Sequence, residues 1–117
     1  MKKKTNKDQQ ENYLERKPKR HEAIAWAKDE KGIVTLDIEN TGFFNLLAQK
    51  FFHKPKVTHI HLDEMGSFVW PIMDGEKDII AIGKEVEEQF GEKANPLYER
   101  LAKFFQVLDS YHFITWN

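Results

Sequence analysis

The sequence has no cysteine in 117 residues. A disulfide framework, a thiolate zinc site and a cysteine nucleophile are therefore excluded, and a reducing, cytoplasmic setting is the expectation. No stretch approaches the roughly 20 apolar residues that span a bilayer, so no membrane association is expected. Met1-Lys2-Lys3-Lys4-Thr5 begins like the basic part of an export signal, but no apolar run of signal length follows it. Glycine numbers only six, and none lies in a phosphate-binding loop, a Gly-x-Ser-x-Gly elbow or beside a His-Glu-x-x-His pair. Asp63, Glu64 and Asp74 fall at the ends of expected helices, where capping accounts for them. The expectation is a protein without catalysis and without a cofactor.

Charge is present in both signs but unevenly placed. Residues 1–22 carry eight Lys or Arg and four Asp or Glu, whereas the remainder carries ten and fifteen. Only Tyr13 and Leu14 interrupt the polarity from Lys2 to Arg20, too little apolar area to offset the entropy of ordering. Residues 1–22 are expected to form a flexible basic arm, and residues 23–117 one domain.

Within that domain Ala23 to Ala27 and Ile33 to Ile38 alternate at period two and read as a hairpin joined through Asp29, Glu30, Lys31 and Gly32. Phe43 to Phe52 reads as a short amphipathic helix ending before Pro55. Its blander role, covering a sheet face through Phe43, Leu47 and Phe51, is preferred to a membrane-surface role. Lys56 to Leu62 alternates again as a third strand, Thr58, Ile60 and Leu62 facing one way and Val57, His59 and His61 the other.

Three helices follow. Asp63 caps the first, whose stripe is Met65, Phe68, Val69, Ile72 and Met73, with Pro71 expected to end its last turn early. Asp78 caps the second, carrying Ile79, Ile82, Val86 and Phe90 and closed by Gly91. Asn95 with Pro96 opens the third, whose core stripe is Leu97, Leu101, Phe104 and Leu108. Phe113 to Trp116 is a terminal strand or cap. The order is that of an α+β winged helix-turn-helix, a small three-stranded antiparallel sheet followed by a three-helix bundle.

His59-x-His61 places two imidazoles about 7 Å apart on one strand face, half of a metal clamp that His53 or a carboxylate would have to complete. Without such a partner the pair reads as facing solvent or a binding partner. A winged helix invites a DNA reading, but Asp78 to Phe90 holds one Lys against one Asp and three Glu, which repels phosphate.

The run Leu62-Asp63-Glu64-Met65-Gly66-Ser67-Phe68-Val69-Trp70, then Asp74-Gly75 with Ile79 and Ile82, resembles the signature of the PqqD family. So does Pro96-Leu97-Tyr98-Glu99-Arg100-Leu101-Ala102-Lys103-Phe104-Phe105. Pro71 departs from that pattern, where a polar helix former is usual. The resemblance implies a RiPP recognition element, a peptide chaperone-like domain in coenzyme PQQ synthesis-like systems. Such a domain captures the leader of a ribosomally made precursor peptide and presents it to a modifying enzyme such as a radical SAM protein. The leader is then expected to pair with the third strand at Lys56, Val57, Thr58, His59, Ile60 and His61, beside a third-helix face of Arg100, Lys103 and Val107. Lysines and histidines there favour a leader with acidic side chains among apolar anchors. A homodimer stays open, and a winged-helix nucleic-acid-binding or transcription regulatory protein is the alternative.

Overall fold

A computed structural model describes residues 13–39 and 57–117. The expected helix from Phe43 to Phe52, as well as Lys56, lies outside the described residues. The elements are β1 (Pro18–Arg20), β2 (Ala25–Lys28), β3 (Val34–Glu39), β4 (Val57–His61), α1 (Glu64–Ile72), α2 (Ile79–Phe90), a 3-10 turn (Gly91–Ala94), α3 (Leu97–Ser110) and β5 (Ile114–Trp116).

β2, β3 and β4 form an antiparallel sheet in that order, and the three helices follow it, as a winged helix requires. Asp29 builds the β2–β3 turn by accepting bonds from the amides of Lys31 and Ile33 at 2.8 and 2.9 Å, while Gly32 takes φ +83°. The first strand is displaced from its expected position. Ile24 gives its N–H to the His21 carbonyl in a turn, so pairing starts at Ala25 and runs to Lys28.

The inner face of the sheet buries Val34, Leu36 and Ile38 against Val69 and Trp70 of α1, Ile79, Ile82 and Val86 of α2, and Leu97, Leu101, Phe105 and Leu108 of α3. Each such side chain contributes roughly 1.5–3 kcal/mol by leaving water. Asp63 caps α1 by accepting from the Gly66 amide at 2.7 Å, and Asp78 caps α2 through the Ala81 amide at 2.8 Å. α1 ends at Ile72, one residue after Pro71.

Three expectations about these helices are corrected. Trp70 is fully buried and Phe68 only half-buried, so the stripe of α1 turns toward Trp70. On α3 it is Phe105, not Phe104, that enters the core. Pro96 is the N-cap of α3 in an extended conformation, and the helix begins at Leu97.

The arm expected over residues 1–22 is corrected in its second part, since the fold takes up the chain from Tyr13 onward. Tyr13 and Leu14 pack against the core, and Pro18 is buried. β1 pairs with β5 in a separate two-stranded sheet, Pro18 opposite Trp116 and Arg20 opposite Ile114. Further bonds run from the Asn117, Gly75 and Ile79 amides to the Lys17, Pro18 and Arg16 carbonyls. Arg16 lies over the Trp116 ring, 4.0 Å from its centre. Arg20 donates to the carbonyls of Trp70, Pro71 and Met73, satisfying the end of α1. Period-based reading misses such a strand, because its stability lies in backbone pairing and distant packing.

Candidate functional site

β4 is an edge strand among the described residues. Its register sets Val57, Thr58, His59, Ile60 and His61 opposite Glu39, Ile38, Asp37, Leu36 and Thr35. The Leu62 amide donates to the Val34 carbonyl at 2.9 Å, which fixes the parity of the ladder. In an antiparallel pair alternate residues turn their backbone groups toward the neighbour. Thr58, Ile60 and Leu62 therefore face β3, while the N–H and C=O of Val57, His59 and His61 point off the open edge.

The side chains divide by the same alternation. Thr58 is buried toward the core and Ile60 half-buried, so Thr58 offers a partner neither its side chain nor its amide. His59 and His61 stand exposed on the outer face. There His59 Nδ1 lies 2.6 Å from Asp37 Oδ1, and His61 Nδ1 lies 2.7 Å from the Thr35 hydroxyl. These are non-hydrogen-bonded cross-strand pairs, in which side chains approach most closely. Both imidazoles are oriented by β3 residues that the sequence reading did not connect to them.

Ser67 terminates the ladder. Its hydroxyl accepts from the Val34 amide at 2.8 Å and donates to the Leu62 carbonyl at 3.3 Å, standing where the direct backbone bond would be. Beside it Gly66 admits α3. A Cβ on Gly66 would meet Phe104 Cε1 at 3.0 Å and Leu62 Cβ at 3.3 Å. Phe104 is thus the α3 side chain that reaches the end of β4, and it shares a helix face with Arg100, Lys103 and Val107.

The expected members of that face differ in availability. Lys103 is exposed, and Val107 is 44 % exposed, unusually high for an apolar residue here. Arg100 is half-buried and donates to the Lys93 carbonyl at 2.8 Å. It lines a hollow of about 90 Å3 together with Met65, Phe90 and Ala94. Thus β4 presents backbone, Ile60 and Phe104 present apolar surface, and Lys103 supplies positive charge. That combination suits an extended peptide.

Among the described residues no three His, Asp or Glu side chains gather as a metal site would need, and His53 lies outside them. No helix among them is long and apolar enough to cross a membrane.

The model of the family described as Coenzyme PQQ synthesis protein D (PqqD) matches residues 32–114. That span runs from the β2–β3 turn through β3, β4 and all three helices into β5. No curated protein and no solved structure matches the chain.

Proposed function

The chain belongs to the PqqD family, and on that premise we propose that it is a peptide-binding module that takes the leader of a ribosomally made precursor along the open edge of β4. Members of the family are small non-catalytic accessory proteins of PQQ synthesis that work with modifying enzymes. In this reading the module holds the leader while a partner enzyme, such as a radical SAM protein, acts on the rest of the precursor.

The observation that carries the proposal is the outward parity of Val57, His59 and His61. Their amide and carbonyl groups line one edge with no strand against it among the described residues. A backbone laid beside them completes the ladder, and main-chain pairing gives affinity largely independent of sequence. Specificity then comes from the flanking side chains, where Lys103 favours acidic residues and Ile60 with Phe104 favours apolar ones. Arg100 acts at the far end of the same helix face, in its hollow with Phe90.

A DNA-binding reading has weaker support. α2 and α3, joined by the short turn at Gly91–Ala94, are the pair a helix-turn-helix would use. α2 exposes Glu87 and Glu88, and α3 sets Arg100 and Lys103 against Glu99 and Asp109, so the pair as a whole opposes phosphate.

The test is titration of the 15N-labelled chain with a synthetic leader from the precursor peptide encoded beside its gene. The expected result is movement of the Val57, His59 and His61 amide resonances, with those of Lys103 and Val107 following. Leader binding that leaves β4 unmoved would overturn the assignment.

A further inference from the structure

The sheet has a second open edge, and it differs from the first. Because Leu36 and Val34 direct their backbone groups to β4, Thr35 and Asp37 direct theirs to β2. Their partners Ala27 and Ala25 are therefore the inward members of β2. The amides and carbonyls of Trp26 and Lys28 point outward, with no strand beside them among the described residues. The family match begins at residue 32, so β2 lies outside it.

Beside this edge is a cavity of about 330 Å3, at the small end of the range typical of ligand pockets. Its apolar wall is Ile24, Trp26 and Met73, and its basic wall is Lys19, Arg20 and His21. Trp26 is 37 % exposed, and the Arg20 guanidinium stands 5.6 Å from its ring centre. Arg20 is fixed there by its three bonds to the end of α1. Two carboxylates complete the rim and both are engaged. Glu22 pairs with Lys19 at 3.7 Å, and Asp74 accepts the amides of Glu76 and Lys77.

An exposed tryptophan under a held arginine is the residue chemistry of an interface anchor. Trp26 lies on the inner face of the sheet, opposite Leu36. A strand added to β2 would turn alternate side chains to that same side, where the cavity is. Charge indicates what the strand carries. Glu22 is paired with Lys19 and Asp74 accepts amides, whereas the three bonds of Arg20 go to uncharged carbonyls and Lys28 stands on the edge itself, so the positive charge left to meet a partner is theirs.

We propose that the outer edge of β2 with the cavity at Trp26 is a second strand-addition site, occupied by an extended acidic segment of a protein partner whose apolar side chain enters the cavity. β2 and β4 bound the same sheet on opposite sides, so the two edges accept separate chains at once. The module then joins a partner at β2 to whatever β4 holds.

The probe is a capped pentapeptide, glutamate at each end of a valine-phenylalanine-valine core, titrated at millimolar concentration into the labelled full chain. The same peptide with lysine ends and a single-stranded oligothymidine serve as comparisons. The acidic peptide should move the Trp26 and Lys28 amides and the Trp26 indole N–H. Lys28→Pro, which removes one outward donor, and Trp26→Ser, which removes the anchor, should each weaken it about tenfold, the worth of roughly 1.4 kcal/mol. Unchanged β3 amides verify that both variants fold. An acidic peptide that leaves β2 unmoved, or that acts no better than the lysine peptide, overturns the proposal. Shifts at β2 from the oligonucleotide alone overturn it in favour of a nucleic-acid surface. Shifts confined to β4 overturn it while leaving the leader edge intact.

Discussion

Gly83 of α2 faces the ring of Tyr98 on α3 so closely that a Cβ on it would fall 2.6 Å from Cε1 and 2.9 Å from Cζ. Glycine is present for helix-to-helix approach, not for turn geometry. In an exposed helix Gly→Ala stabilises by up to about 1 kcal/mol. Here the added methyl strikes a half-buried aromatic ring, and overpacking costs roughly 1–3 kcal/mol. Gly83→Ala should therefore lower stability in urea denaturation, and the penalty should largely vanish in a Tyr98→Ala background. Equal penalties in both backgrounds would exclude the contact as the cause.

Ser67→Ala tests the hydroxyl that ends the β3–β4 ladder. The substitution strands the buried Val34 amide and also removes the donor to Leu62. An unsatisfied buried donor costs about 1–3 kcal/mol. The loss should appear in the denaturation midpoint, with faster hydrogen exchange at the Val34 and Leu62 amides. A midpoint shift without local exchange would place the effect elsewhere.

Proline at successive positions of β4 separates binding from folding. The His59 amide points outward, so His59→Pro removes a donor that the proposed leader pairing would use, while the ladder to β3 persists. It also removes an exposed contact with Asp37 that is worth at most about 1 kcal/mol. Leader affinity should fall roughly three- to tenfold, one backbone hydrogen bond at about 0.5–1.5 kcal/mol. Thr58→Pro, one residue away, deletes a bond to β3 and should destabilise the domain itself. If calorimetry shows His59→Pro binding the leader normally, the edge is not where the leader pairs.

Asp74 makes stability depend on acid. The Glu76 amide bond, and then the Lys77 amide bond, holds the Asp74 carboxyl below its ordinary 3.8. A depressed folded value means that the contribution is complete above 3.8 and is lost as pH falls through the lower folded value. Asp74→Asn should therefore flatten the acid limb of the stability curve and leave its slope near neutrality unchanged. Denaturation midpoints compared across that range read the difference, and parallel acid limbs would refute the assignment.

The sheet, the helix caps and the order of elements were legible because each rests on local chemistry. Asp63 and Asp78 cap from their own side chains, Gly91 closes α2 at φ +58°, and Val34, Leu36 and Ile38 alternate as a half-buried strand must. The candidate edge was legible as a strand but not as a pattern of outward amides. Parity follows from the Leu62 to Val34 bond, which joins residues 28 positions apart. Phe104 and Phe105 were indistinguishable by type, and only the approach of α1 through Gly66 sends one to the β4 junction and the other to the core.

Sequence alone determined the winged-helix order, the absence of thiol chemistry and the motif of Leu62 to Gly75, since these depend on residue type and spacing along the chain. Tertiary structure decided that the chain from Tyr13 to Arg20 belongs to the fold, that His59 meets Asp37, and that Trp26 stands with Arg20 beside a cavity on a second open edge. Those relations are made by backbone bonds and packing between residues far apart in sequence, and no periodicity within either partner encodes them.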